Sequence, residues 1–153
     1  MTQILLAIDP GKTGAIAVFR GGELTHMKVC TTFVLRDWLD MKRRPRVVIE
    51  QVNGAPGQSG PASFNFGKAY GELLGVCVGL DVEPVLIRPA DWKGGLGLRR
   101  EFGESNASFK RKSLVMAREI WPQHAKTFFA RAKDDGAAEA ALLGHYALTQ
   151  GIV

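Results

Sequence analysis

What most constrains this chain is a set of carboxylates that close two apolar segments and open a helical one. Residues 3–9 (QILLAID) run into Asp9, Pro10 and Gly11, and the stretch RVVIEQV carries Glu50 at the end of a second run. Short apolar runs bounded by turn residues read as strands buried within a sheet. A third acidic group, Asp134, Asp135 and Glu139, opens a helical pattern in KDDGAAEAALLGHYA. Asp135 and Glu139 lie four apart on one helix face, whereas Asp134 points roughly 100° away.

Carboxylates converging from two strand ends and a helix form an oxygen-rich site suited to hard divalent cations such as Mg²⁺. A pair of such cations clamps the attacking and leaving oxygens in phosphodiester cleavage, so these residues point to a metal-dependent nuclease. The length of 153 residues and the apolar content of 46% fit one domain over 1–153 with a sizeable core. No apolar run reaches the roughly 20 residues of a membrane span, which argues against a membrane protein. No secretory signal precedes the first strand pattern, so the expected compartment is the cytoplasm. Cys30 and Cys77 lack CxxC spacing and read as small apolar side chains. His26, His124 and His145 form no zinc spacing and read as structural. Lys and Arg outnumber Asp and Glu by 20 to 15, a formal charge of +5. With several acids gathered in one site, the remaining surface is more basic still, and nucleic acid is the first candidate partner.

The runs AIAVFR and ELTHMKVC, separated by Arg20-Gly21-Gly22, predict a hairpin. Residues 32–41 are weakly helical, and Pro45 precedes the strand RVVIE. A stretch rich in Gly, Pro, Ser and Asn over 53–62 predicts an exposed, mobile, substrate-facing loop. Residues 63–80 predict a helix with Ser63 as N-cap, striped by Gly67, Gly71, Gly75 and Gly79. Each glycine lowers helicity by about 1 kcal/mol relative to Ala, so close packing against the sheet or another helix is expected along the stripe. A strand (PVLIRP), a basic Gly-rich loop (DWKGGLGLRREFGES), a helix over about 107–120 stopped by Pro122, and a helix over about 134–149 complete the pattern.

That order, with IDPGKTG, VIEQV, SFNFGKAYG followed by RPADWK, and DDGAAEA, resembles the ribonuclease H-like fold. Within it the chain is similar to the RuvC family of Holliday junction resolvases, in the short form found in phages and prophages. The resemblance implies an α/β fold, a mixed five-stranded sheet flanked by helices on both faces. It implies that Asp9, Glu50, Asp135 and Glu139 hold two Mg²⁺ or Mn²⁺ ions, with Asp9 between them. In the family's bacterial pattern the last two acids sit three apart; here that position is Gly136, so Asp135 is taken, with Asp134 as the alternative ligand. Lys93 in ADWK and Lys110 in SFKRKS match lysines near the cleaved phosphate, where an ammonium stabilises transition-state charge. The implied activity is metal-dependent nicking of four-way DNA junctions in recombination and repair, leaving 5′-phosphate and 3′-hydroxyl ends. The implied assembly is a homodimer, with no small-molecule cofactor.

Lys93, Arg99, Arg100, Lys110, Arg111 and Lys112 form the expected phosphate-contacting cluster. Phe64 is the candidate for stacking on an unpaired base at the junction centre, whereas Phe66 and Tyr70, four apart, read as core. The Gly-striped helix is a candidate dimer surface. Three other readings compete: a nuclease for other branched DNA or for RNA, a catalytically silent junction-binding module, and an actin-like kinase or ATPase. The last needs two such domains around its nucleotide.

Overall fold

The computed structural model of the chain describes residues 2–41, 44–51, 53 and 59–153. Along the described residues run β1 (Ile4–Ile8), β2 (Ala15–Arg20), β3 (Glu23–Val29), α1 (Thr32–Leu39), β4 (Arg46–Glu50), α2 (Gly60–Gly79), β5 (Val85–Ile87), α3 (Pro89–Gly95), α4 (Asn106–Ile120) and α5 (Asp135–Thr149). Short 3₁₀ turns occupy Pro122–His124 and Ala132–Asp134. The strand order is β3-β2-β1-β4-β5. The first hairpins are antiparallel, while β1–β4 and β4–β5 are parallel. The expected mixed five-stranded α/β sheet, with helices on both faces, is thus present. Among the described residues no helix is long and apolar enough to cross a membrane.

Strand periodicity builds both layers. All five residues of β1 are buried. Leu5 and Ala7 join the core beneath α5, α4 and α3, whereas Ile4, Leu6 and Ile8 join the core beneath α1 and α2. That two-sided burial explains the unbroken apolar run. Gly21 (φ 58°) and Gly22 (φ 86°) turn the β2–β3 hairpin with the left-handed backbone that a two-residue loop requires. Helix α5 is buried along most of its length, including Ala138, Ala140, Ala141, Leu142 and Leu143. It lies very close to the sheet, because the ring of Phe19 and the Cβ of Ala7 fill the space a side chain at Gly144 would need.

Three expectations change. Helix α2 starts at Gly60 rather than 63, and its N-cap is Ser59, whose hydroxyl accepts from Ala62 N at 3.4 Å; a proline in the first turn fits that start. Residues 60–62 of the expected loop are therefore helical, Asn53 is exposed, and positions 54–58 lie outside the described residues. Among the described residues, the glycine stripe packs against nothing. A Cβ at Gly67, Gly71, Gly75 or Gly79 would meet nothing within 4 Å, and α2 buries only Leu73 and Cys77. Finally, DWKGG is not loop: it belongs to α3, entered through extended Arg88 and Pro89 at the first turn. Its glycines suggest a loop, but Gly95 is needed where the ring of Tyr146 presses on the backbone.

Candidate active site

Parallel pairing of β1 with β4 sets the first two carboxylates. Ile8 lies opposite Ile49, so Asp9 and Glu50 leave adjacent strands at the same sheet edge. Gly11 N donates to Asp9 Oδ1 at 3.0 Å, and Asp9 N donates to Ala15 O at 3.0 Å, which fixes the turn holding the side chain. Glu50 Oε2 accepts from Trp92 Nε1 at 2.7 Å; that indole is fully buried on α3.

Helix α5 delivers the other two. Asp135 and Glu139 are both buried. Lys93 Nζ is 3.1 Å from Glu139 Oε1, which also accepts from Ser113 Oγ at 3.4 Å, and Lys110 Nζ is 2.7 Å from Asp135 Oδ2. The bond to Asp135 raises the Lys110 pKa above its ordinary value. A side chain at Gly136 would run into the Thr13 carbonyl. The missing Cβ therefore lets the first turn of α5 rest on the Thr13–Gly14 backbone, and the carboxylate comes from Asp135 instead. Asp134 is engaged elsewhere. It accepts from Arg131 N at 2.8 Å and Arg131 Nη2 at 2.8 Å, and these bonds hold it below the usual carboxylate range.

Crowding opposes charge in this group. Desolvation first, and then the charge of Glu50, push Asp9 up to about 7. Desolvation also raises Glu50, although the charge of Lys93 and the Trp92 hydrogen bond work against it. The charge of Glu139 is felt by both Asp9 and Glu50, and Lys110 stands within the influence of Asp135, Glu139 and Asp9. Among the described residues, no group of three or more ligating side chains stands close enough together to hold a metal ion. The two ammonium groups supply the local counter-charge.

Lys93 also connects the site to a cleft of about 740 Å³ lined by Pro89, Leu98, Arg99, Arg100 and Phe109. Lys93 Nζ lies 5.6 Å from the centre of the Phe109 ring, and Arg100 Cζ lies 5.0 Å from it. Arg99, Arg100, Lys110 and Arg111 are exposed. Lys112 is committed within the chain, pairing with Glu104 at 3.0 Å and donating to Arg99 O at 3.1 Å. Phe64 is 71% exposed on α2 and so is no part of the core. Tyr70 packs at the edge of the α1–α2 core and Phe66 is half-buried. His124 bonds Leu24 O and stacks on Phe128, His145 lies against Trp121, and both cysteines are free thiols.

Sequence reasoning missed Trp92 and Ser113, which orient Glu50 and Glu139. Ser113 sits three residues beyond Lys110, on the same helix face, and Trp92 adjoins Lys93. Those neighbours were the only signal.

No family model and no curated protein matches the chain. Solved structures do. The structure of T. thermophilus RuvC in complex with Holliday junction substrate matches with a TM-score of 0.61 at 16% identity, covering 97% of this chain and 96% of that one. The Thermus thermophilus RuvC structure matches with a TM-score of 0.57 at 18% identity, covering 97% of each chain. At such low identity over nearly the full length of both, the likeness is one of architecture: this chain has the RuvC fold.

Proposed function

We propose that the chain is a structure-selective endonuclease that nicks four-way DNA junctions, using divalent cations held by Asp9, Glu50, Asp135 and Glu139. The observation that carries this reading is that Asp9 and Glu50 leave β1 and β4 side by side, with Glu139 acting on the charge of both and Lys93 and Lys110 paired to Glu139 and Asp135, within a fold shared with a protein solved on a Holliday junction. The donor chemistry fits: all four groups are carboxylates, the preference of Mg²⁺ and Mn²⁺, and Asp9 and Glu50 sit where burial and like charge leave a deficit of positive charge. Bound there, a cation pair supplies charge neutralisation at the phosphate and a lowered pKa for the attacking water.

The chain's own residues prepare the site. Trp92 holds Glu50 and Ser113 holds Glu139, so both carboxylates present fixed oxygens. Lys93 and Lys110 stand against the carboxylates, where ammonium groups reach the oxygens of a phosphodiester lying across the site. Hydrolysis there leaves 5′-phosphate and 3′-hydroxyl ends. Arg99, Arg100 and Arg111 are exposed for phosphate contacts beyond the cleaved bond, and Phe64 for a base near the crossover. Two copies joined through the open glycine face of α2 would present two sites to two strands, as symmetric nicking needs.

One observation favours a second reading, a junction-binding module without cleavage: Lys93 and Lys110 already neutralise Glu139 and Asp135, and no enclosed metal arrangement stands among the described residues. A single panel separates the two. The protein is incubated with a synthetic four-way junction, the matched duplex and an RNA·DNA hybrid, in Mg²⁺, in Mn²⁺ and in EDTA. Paired nicks in the junction alone, absent in EDTA, are expected. Tight junction binding with no cleavage in either metal gives the second reading, and cleavage of the hybrid alone gives an RNA-directed enzyme.

A further inference from the structure

Between α3 and α4 the chain makes an excursion whose tip is an aromatic ring in open solvent. Phe102 is 109% exposed, fully free of the rest of the fold. Left-handed glycines flank it on either side along the chain, Gly97 at φ 76° and Gly103 at φ 75°. An apolar ring on a slack loop would fold back onto the protein to leave water; this loop is held so that its ring does not.

The brace is polar and specific. Leu98 anchors the entering limb in the core, and its N–H donates to Lys93 O at 2.8 Å. On the returning limb the Glu104 side chain is only 7% exposed, and it accepts from Glu101 N at 3.0 Å, from Ser108 Oγ at 2.9 Å and from Lys112 Nζ at 3.0 Å. Lys112 also donates to Arg99 O at 3.1 Å, which ties the two limbs together. The Glu101 N–H and then Lys112 draw the Glu104 carboxyl down to about 2, so the brace stays charged throughout the physiological range. Arg100 is fixed as well, by Asn106 Oδ1 at 2.6 Å and by the Phe109 ring beneath it.

We infer that Phe102 is a base-stacking pin: a rigidly mounted ring that stacks on an unpaired nucleobase of the bound nucleic acid. This rests on the reading of the chain as a nuclease for branched substrates. The charge around the ring selects the partner. The two residues preceding Glu101 on the same loop are Arg99 and Arg100, both lining the cleft that leads to Lys93 and the carboxylates. A partner suited to both features offers anionic phosphates for the guanidinium groups and a flat, uncharged face for the ring. A nucleotide whose base has left the stack has both. A matched duplex withholds the face, so the pin distinguishes a branch point from ordinary DNA.

The test compares the parent protein with Phe102→Ala and Phe102→Trp, in EDTA, on three probes. These are a four-way junction and a single strand, each carrying 2-aminopurine, and the matched duplex. Truncating a fully exposed ring leaves the melting temperature unchanged, which each variant's thermal unfolding verifies. Phe102→Ala is expected to lower affinity for junction and single strand about tenfold or more, leave duplex affinity alone, and abolish the 2-aminopurine response. Phe102→Trp is expected to restore both. Parent-like affinity and fluorescence in Phe102→Ala overturn the pin. So does a variant that binds DNA normally but loses self-association in sedimentation, since the ring is then a protein contact. If the parent shows no preference for the junction yet the alanine variant loses single-strand binding, the pin stands and the junction substrate falls.

Discussion

The surroundings of Asp9 oppose its charge, and this has a measurable signature. A carboxyl raised to about 7 stabilises the fold fully below its unfolded value near 4, and that contribution is lost as pH rises through about 7. Glu50, also raised, acts in the same direction. In EDTA the melting temperature is therefore expected to fall between pH 5 and pH 8, and Asp9→Asn to flatten much of that fall; equal slopes in parent and variant would disprove the assignment. Because a cation must displace the Asp9 proton, Mg²⁺ should raise the melting temperature more at pH 8 than at pH 5. Asp9→Asn is also expected to abolish cleavage while junction binding persists. Asp135→Asn should do likewise, whereas Asp134→Asn, which disturbs only the pair with Arg131, should leave cleavage within severalfold and cost about 1 kcal/mol of stability or less. The reverse order would mean that the ligand is Asp134, at the N-cap of α5. Trp92→Phe retains the buried ring but takes a donor from Glu50, a loss of order 1–3 kcal/mol. Its pH–rate profile should move upward, since Glu50 loses a bond that favours its ionised form; an unmoved profile would make Trp92 a packing residue only.

At the level of single elements, α2 and the α3–α4 excursion show what the sequence could reveal and what it could not. The strands were legible because two-sided burial leaves an unbroken apolar run, and the Gly21-Gly22 turn needs a backbone that glycine supplies. Asp9, Glu50, Asp135 and Glu139 were legible because each closes or opens such a segment. Trp92 was not, because its role depends on α3 crossing under Glu50, a contact between residues forty-two apart that no local pattern encodes. Helix α3 itself was hidden by Gly94 and Gly95, whose low helicity is outweighed by the burial of Trp92. The stripe on α2 misled in the other direction, since its glycines meet no neighbour among the described residues. On a solitary chain Gly75→Ala should therefore raise stability by up to about 1 kcal/mol. If α2 joins two copies, the same change should weaken association in sedimentation while the unfolding temperature of dilute protein rises; a loss of stability in dilute protein would return the stripe to the core. Glu104 gives a second local test. Its depressed carboxyl favours the fold above the ordinary value of 4.5, and that contribution is lost as pH falls through about 2. Amide exchange in the 99–105 segment should accelerate in Glu104→Gln at neutral pH, and unchanged exchange would show that the loop needs no such brace.

Over the whole molecule, a formal charge of +5 coexists with a concentrated acidic site, so cations dominate the remaining surface. Affinity for DNA should fall steeply with salt, and replacing Arg99 and Arg100 together by Ala should flatten the slope of log affinity against log salt by roughly one unit per lost contact. A slope equal to the parent's would move the DNA-binding face elsewhere. The parallel alignment of β1 and β4 with α5 across them also has a consequence in time. A ribosome releases residues 9 and 50 long before residues 135–139, yet α5 is the most buried helix and brings two of the four carboxylates. Until it emerges and docks, the nascent chain holds only half of the site and lacks the cover of one sheet face. On the proposed function, any cleavage would therefore wait until α5 has docked against the sheet.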